Sequence, residues 1–346
     1  MRSGRTGVVI TVAVVAYGLG MAFVAAAIAT AGDSTALGML FLFGPRWMLL
    51  GPWIPLLPLA VLASRRTVLF ALAGTAVTLL FVSGFEVPVP NAPWRGAEHA
   101  PPLRVVTYNT DGSMALASRI VADLIDWDAD VVVLQSCSPE VGIVLQRVAR
   151  VRSVPHSYEI HRDDEFCVVS RLPLRRLVRK APERGSREEG RALRFSFIWN
   201  GTPVSMGAVH LPSPRDALAA ARRGNPTLLD GSIRVRYRAS RSTATWIHDR
   251  RASTAEVVVG DFNLPPESRA LREDWGALRN AFSEVGWGFG HTMFAGRHQV
   301  RIDHVLVSDA VSVRKVTVLS GYPSEHQPVV ADLGVAPKTG NVGALP

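Results

Sequence analysis

The chain has 346 residues, with 38 Lys and Arg against 29 Asp and Glu, a net charge of +9 with histidine neutral. An apolar fraction of 48% and a mean hydropathy of +0.17 beside a charged fraction of only 19% exclude a disordered chain, a disulfide-stapled miniprotein, a collagen-like repeat and a wholly soluble protein. The apolar excess sits at the N-terminal end, and no internal repeat is evident.

Residues 8–30 carry no charge; as a helix they would be about 35 Å long, enough for a bilayer core of about 30 Å. A cleaved signal peptide is the alternative, since Arg2 and Arg5 precede the run. The run is too long for that, and two further apolar blocks follow. The second, residues 48–63, is short and interrupted by Pro52, Pro55 and Pro58, whereas the third, residues 67–85, is clean. Small residues at four-residue spacing in the first block (Gly18, Ala22, Ala26) suit helix packing or a lipid-facing surface equally. The expectation is about three transmembrane helices within residues 1–86. Arg2 and Arg5 precede the first span, Arg65 and Arg66 lie between the second and third, and Asp33 and Arg46 cancel in the intervening loop. That bias places the N-terminus in the cytoplasm and everything after Phe85 outside.

Residues 87–102 are Pro-rich and aperiodic, which predicts an extended linker beginning near Glu86. Residues 103–333 then suit one globular domain, and residues 334–346 a loose tail. Within the domain, β-rich runs at 103–109, 130–135, 166–170, 192–199, 203–210, 256–261, 301–307 and 328–333 predict strands. Helical patterns fall at 114–127, 139–150, 232–251 and 268–279, the last with Ser268 as its cap. The fold class is therefore α/β, with two sheets packed face to face and helices outside. Residues 212–231 are expected to form a loop beside His210 that acts as a lid or membrane-facing flap.

Polar clusters sit where strands end. Asn109-Thr110-Asp111-Gly112 places an amide and a carboxylate together, suited to a phosphate oxygen and a divalent cation, although Asn-x-Asp-Gly is also ordinary turn chemistry. His210 closes a strand and is either a phosphate donor or a satisfied structural histidine. Gly260-Asp261-Phe262-Asn263 follows three valines and puts a carboxylate and an amide on one turn, able to orient water and hold a phosphoryl oxygen or simply to cap an Asx-turn. Asp303 and His326 are suited to a carboxylate–imidazole pair, which raises the basicity of the ring and fixes its tautomer.

Together these clusters resemble the endonuclease/exonuclease/phosphatase superfamily, across about residues 103–333 and in the right chain order. The most specific pieces are Val-Val-Val-Gly-Asp-Phe-Asn (257–263) and Arg-Ile-Asp-His-Val-Leu (301–306), supported by Leu-Arg-Val-Val-Thr-Tyr-Asn and Val-His-Leu. The resemblance implies a DNase I-like four-layer α/β sandwich and a hydrolase acting on phosphoester bonds. It implies that Asn109, His210 and Asn263 contact the scissile phosphate, that Asp261 orients the attacking water, and that Asp303 pairs with His326 near the leaving or attacking oxygen. A Mg²⁺ (or Mn²⁺) cofactor would polarise the phosphoryl group.

Two departures stand out. The family usually writes Leu-Gln-Glu after its second strand, the Glu being a metal ligand, and here the chain reads Leu134-Gln135-Ser136-Cys137. Glu325 also stands where an Asp is usual. Asp111 and Glu325 are the substitute metal-ligand candidates, the first because AP endonucleases of the family carry an acid at that offset, with Glu140 a further one. Catalysis with reshaped metal binding and a catalytically impaired, phosphate-ligand-binding domain are both open.

Cys137 and Cys167 are the only cysteines; an outside location would permit a bridge, and burial as free thiols is the alternative. Arginines are dense at 175–194 and 234–251, forming either a polyanion-binding surface or a solvated face partly offset by Glu183, Glu188 and Glu189. The leading expectation is a membrane-anchored, extracytoplasmic phosphoesterase whose phosphorylated substrate is lipid-linked, similar in layout to the membrane-anchored teicoplanin-resistance branch of the family. A surface nuclease acting on nucleic acid is the second choice.

Overall fold

The computed structural model describes residues 4–88, 101–148, 158–181, 190–248, 255–296 and 298–336. Most of the predicted linker, the tail beyond residue 336 and residues 182–189 of the first arginine-dense stretch, with Glu183, Glu188 and Glu189, lie outside them.

Helices α1 (Arg5–Ala31), α2 (Ala36–Leu42), α3 (Trp53–Ala63) and α4 (Arg65–Val77) form the N-terminal part. Among the described residues three helical stretches are long and apolar enough to cross a membrane: Arg5–Ala31, Arg46–Ala63 and Arg65–Val82. The prolines of the middle one do not break it. Pro52 sits at the N-cap and Pro55 in the first turn, where no helical N–H bond is lost, and Pro58 alone lies in the interior of α3, which is preceded by the 3₁₀ turn Arg46–Leu50. Gly74 of α4, facing Gly18 of α1, lets the two helices approach closely around Trp53: a Cβ at Gly74 would overlap the Trp53 ring and lie 3.3 Å from the Gly18 Cα. Trp53 fills the space between and donates to Thr78 Oγ1 at 2.8 Å.

The remainder is a sandwich of two six-stranded sheets. In chain order its strands are β1 (Leu103–Asn109), β2 (Val131–Gln135), β3 (Glu159–Asp163), β4 (Phe166–Ser170), β5 (Arg175–Arg179), β6 (Arg191–Trp199), β7 (Thr202–His210), β8 (Ala255–Asp261), β9 (Arg279–Asn280), β10 (Met293–Ala295), β11 (His298–Val300), β12 (Asp303–Val307), β13 (Val311–Val318) and β14 (Val329–Val335). One sheet runs β13-β14-β1-β2-β4-β3, the other β5-β6-β7-β8-β12-β9, and β10-β11 forms a separate hairpin. Leu103, Val105, Val131, Val133, Phe166 and Val168 meet Phe195, Met206, Val257, Val259 and Val305 in a single core between the sheets. Both faces of the central strands are covered, so they read as unbroken apolar runs. Helices α5 (Ile120–Trp127) and α6 (Pro139–Val148) cover the outside of the first sheet. Helices α8 (Leu228–Ile247) and α9 (Arg269–Trp275) cover the second, giving the expected four layers. Helix α7 (Arg215–Arg222) precedes α8, and α10 (Ala281–Val285) follows β9.

Three expectations are corrected. Residues 212–231 are largely helical, because Ala217 and Leu218 of α7 and Leu229 of α8 are buried against Met39, Leu42 and Phe43 of the N-terminal part. The arginines of 234–251 are not uniformly a solvated face: Arg236 is buried inside the protein. Glu86 does not begin a detached stalk, since it exchanges backbone hydrogen bonds with Gly288 and its carboxylate accepts from Arg301 and Ser283.

Candidate active site

Strand register assembles the centre. In the second sheet His210 of β7 lies opposite Asp261 of β8, and Asp261 lies opposite Asp303 of β12. Three chemically active residues thus occupy one rung across three strands. Close approach at this rung requires Gly260: with φ +140, a Cβ would fall 2.0 Å from the Val209 carbonyl oxygen. From the other sheet Asn109, at the end of β1, reaches across the sandwich and donates to Asp261 Oδ2 at 2.8 Å. His326 arrives on the loop before β14, which is pinned to β1 by Ser324: its Oγ donates to the Asn109 carbonyl at 2.9 Å and accepts the His326 N–H at 3.0 Å.

Asp261, 1% exposed, is the hub. Its Oδ2 accepts from Asn109 and, at 3.1 Å, from Asn263 Nδ2, and it faces His210 Nε2 at 3.7 Å and His326 Nε2 at 3.8 Å. Its Oδ1 accepts the Asn263 N–H, and Asn109 Oδ1 likewise accepts the Asp111 N–H. Both clusters are therefore Asx-turns and site walls at once. Asn263 and Asp111 sit at φ +49, a left-handed conformation that Asn and Asp tolerate.

The two histidines are each backed by a carboxylate. Asp303 Oδ2 lies 2.8 Å from His326 Nδ1, and Glu165 Oε1 lies 2.9 Å from His210 Nδ1. Burial by itself lowers the His326 pKa, but the charges of Asp303 and Asp261 outweigh it and hold the ring at about 9. His210 is raised in the same way, the Glu165 hydrogen bond and the charges of Asp261 and Glu165 overcoming burial. Burial and the neighbouring charge of Asp303 push the Asp261 carboxyl up. Burial would also push Glu165 up, yet its bond to His210 and the nearby Arg191 guanidinium leave it lowered. Glu165 is absent from the sequence-based set. It directly precedes β4 in an acidic hairpin, Asp163-Asp164-Glu165, and the only signal in sequence is an acid placed immediately before a buried strand.

Asn109, Asp111, Ser136, His210, Asp261, Asn263, Glu325 and His326 all line one pocket of about 390 Å³. Asp303 stands behind His326. Glu325 is drawn to the rim by Arg215 of α7, 2.8 Å away. Glu140 belongs to a different place: it is exposed on the first turn of α6 and does not line the pocket. Phe43, Leu218, Met293 and Ile302 supply an apolar side of the same pocket, so the N-terminal part and α7 both contribute to its wall. Cys137 and Cys167 are bonded, with Cα atoms 5.8 Å apart. The bridge ties the Ser136 turn to β4 next to Glu165.

The donor set fits a hard divalent cation. Oxygen or nitrogen atoms of Asp261, Asp303 and His326 lie within 4.8 Å of one another, and Asp303 Oδ1 is buried with no hydrogen-bond partner. An orphaned carboxylate oxygen in a low-dielectric site is costly unless something positive meets it. Asp111 and Glu325, the candidates named from sequence, stand on the wall of the same pocket but make no such compact group.

A profile of the "Endonuclease/Exonuclease/phosphatase family" matches residues 106–326, more than half of the chain. No curated protein matches. Among solved structures, TDP2 from D. rerio complexed with a single-strand DNA product is similar with a TM-score of 0.52 and 14% identity, over 67% of this chain and 99% of that one. An endonuclease/exonuclease/phosphatase from Beutenbergia cavernae gives 0.51 and 19%, over 68% and 72%. A mannosyl-6-phosphatase from Bacteroides thetaiotaomicron gives 0.50 and 16%, over 67% and 99%. At these identities the structural likenesses speak to the fold.

Proposed function

The chain belongs to the endonuclease/exonuclease/phosphatase family, a family of phosphoester hydrolases, and from that premise we propose that it is a membrane-anchored, Mg²⁺- or Mn²⁺-dependent phosphoesterase. Its substrate is a lipid-linked phosphate ester or pyrophosphate presented at the outer face of the cytoplasmic membrane. The observation that carries this reading is Asp261: one buried carboxylate held by two amides and flanked by two imidazoles, each imidazole backed by its own acid. In this reading Asp261 orients the attacking water, Asn109, Asn263 and His210 hold phosphoryl oxygens, and the His326–Asp303 pair stabilises charge and handles a proton at the ester oxygen. Asp261 and Asp303 would hold the cation, with Asp111 and Glu325 near it. The cation, when bound, polarises the phosphoryl group and offsets developing negative charge.

Topology and substrate class rest on separate supports. The loops at the end of α1, before α3 and after the third span all meet the globular domain, through Asp33, Arg46 and Glu86. These contacts support a domain on the side of the membrane opposite Arg5, Arg65 and Arg66, the side that the positive-inside rule makes the outside. The Cys137–Cys167 bridge suits an oxidising compartment. Phe43, from the membrane-proximal segment, lines the pocket, which favours a headgroup delivered from the bilayer over a long polymer. The test is phosphate release by the purified full chain from a panel of prenyl pyrophosphate, phospholipid, sugar phosphate and DNA, with His326→Ala as control. Release confined to lipid-linked substrates supports the proposal, cleavage of DNA alone replaces it with the nuclease reading, and no release from any substrate replaces it with a phosphate-ligand-binding domain.

A further inference from the structure

Each of three charges in the N-terminal segment is paired with an opposite charge of the globular domain. Arg46 binds Glu267 at 2.7 Å, Glu86 binds Arg301 at 2.5 Å, and Asp33 binds Arg236 at 3.2 Å. The third pair is the most deeply placed, with side chains 0% and 1% exposed. Asp33 follows α1 and enters the junction of α8 and α9. There it accepts from Ser268 Oγ (2.8 Å), Tyr237 Oη (3.0 Å) and the Arg269 N–H (3.2 Å) besides Arg236. The fit is close: Gly32 holds φ +52, and a Cβ there would lie 2.7 Å from the Glu267 carbonyl oxygen.

Arg236 does two things with one nitrogen. Its Nη2 donates to Asp33 and, at 2.6 Å, to the backbone carbonyl of Asn263. The guanidinium lies over the Phe43 ring at 5.1 Å, and its Nε and Nη1 have no hydrogen-bond partner. Burial works against its charge and Asp33 is the foremost group that restores it. Among the described residues Arg236 forms no other ion pair. A buried guanidinium that loses its only counterion costs several kcal/mol and turns toward water where it can, which here means leaving the Asn263 carbonyl.

We propose that Asp33, a residue of the membrane-proximal segment, is a positioning residue for the active site: by neutralising Arg236 it keeps that guanidinium on the Asn263 carbonyl and so fixes the 261–263 turn. The turn is then set only when the N-terminal segment is docked, and the globular domain is not self-sufficient. The kinetic arm of the inference rests on the phosphoesterase reading; the structural arm does not.

The test compares the full chain in nanodiscs with Asp33→Ala and with the double variant Asp33→Asn/Arg236→Met. Thermal midpoint, kcat and KM, and hydrogen exchange of the 261–264 amides are measured on each. Asp33→Ala is expected to lower the midpoint by on the order of 10 °C, to lower kcat by about 100-fold with KM within about threefold, and to speed exchange at 261–264. The double variant removes the stranded charge, so most of the midpoint returns, but the Asn263 carbonyl still lacks its donor, so kcat and exchange do not recover. Recovery of kcat and exchange together with the midpoint overturns the proposal and leaves the pair a staple of the fold. Wild-type kcat and exchange in Asp33→Ala overturn it equally. If Asp33→Ala does not fold, the double variant decides alone. A wild type inactive on every substrate sinks the phosphoesterase reading, and the exchange data still judge Asp33.

Discussion

Replacing Asp303 by Asn tests whether the carboxylate–imidazole pair works as a unit. The substitution keeps the shape of a side chain that stands behind His326 and outside the pocket wall, but removes its charge and offers an NH₂ group where Nδ1 meets a carboxylate oxygen at 2.8 Å. In the intact protein the ring is carried from 6.5 to about 9 against the opposing effect of burial, a preference of about 3 kcal/mol for its charged form. Asp303 is the larger of the two carboxylate contributions. Losing it removes at least half of that preference and also the group that selects the tautomer. The expected result is a fall in kcat of about 10²–10³ with KM changed less than about threefold. Steady-state kinetics of the full chain at several Mg²⁺ concentrations, beside His326→Ala and the double variant, provide the assay. Residues acting as a unit are non-additive, so the double variant is expected to be no slower than His326→Ala. A double variant slowed by the product of the single losses would falsify the pairing. A loss recovered at high Mg²⁺ would refute it as well and assign Asp303 to cation binding alone.

Three further outcomes are expected. In EDTA-treated protein the raised His326 contributes stability that is full below about pH 6.5 and is lost as pH rises through about 9, about 3 kcal/mol in all; denaturant midpoints that do not fall between pH 7 and 10 contradict this. The Cys137–Cys167 bridge closes a separation of 30 residues, for which chain entropy gives about 3.5 kcal/mol, so Cys137→Ala/Cys167→Ala should unfold at clearly lower urea, and an unchanged midpoint refutes a formed bridge. Glu165→Gln replaces a charge-assisted bond to His210, worth about 1.5–3 kcal/mol, by a neutral one worth about 0.5–1.5, a difference of about 1–1.5 kcal/mol; kcat is expected to drop by about 5- to 10-fold, and wild-type turnover would remove Glu165 from the site.

Much of this was legible because the buried strands announce themselves. Strands β1, β7 and β8 are apolar runs that end in Asn109, His210 and Asp261, and Asp303 opens β12. What stayed hidden lies at sheet edges and at long range. β3 and β5, with sequences Glu-Ile-His-Arg-Asp and Arg-Arg-Leu-Val-Arg, are edge strands with exposed faces. Edge strands carry charge to discourage further pairing, so they lack the apolar pattern that identifies a strand. Residues 212–231 look like a loop because α7 is short and buries its alanines against a surface supplied from residues 39–43. The hardest signal was charge. Asp33 and Arg46 cancel when the loop between spans is counted for topology, yet in the folded protein Asp33 is paired with Arg236 and Arg46 with Glu267, partners more than 200 positions away.

The Ser at position 136 can be weighed by the same accounting of pairs. Of the acids around the pocket, Glu165 is committed to His210 and Arg191, and Glu325 to Arg215, which leaves Asp261, the free Oδ1 of Asp303, Asp111 and Asp216 to meet a cation. Ser136 itself is locked in place: its backbone is left-handed at φ +50, Thr110 Oγ1 donates to its carbonyl at 2.7 Å, and the next residue is bonded to Cys167. The turn is thus built to hold a side chain at the pocket wall while carrying no charge there. Ser136 already carries a Cβ in that conformation, so a carboxylate restored by Ser136→Glu would add one oxygen ligand without a further backbone cost. Mg²⁺ affinity measured by titration calorimetry should rise by about tenfold, with the thermal midpoint little changed. An unchanged affinity would mean that the position does not face the cation.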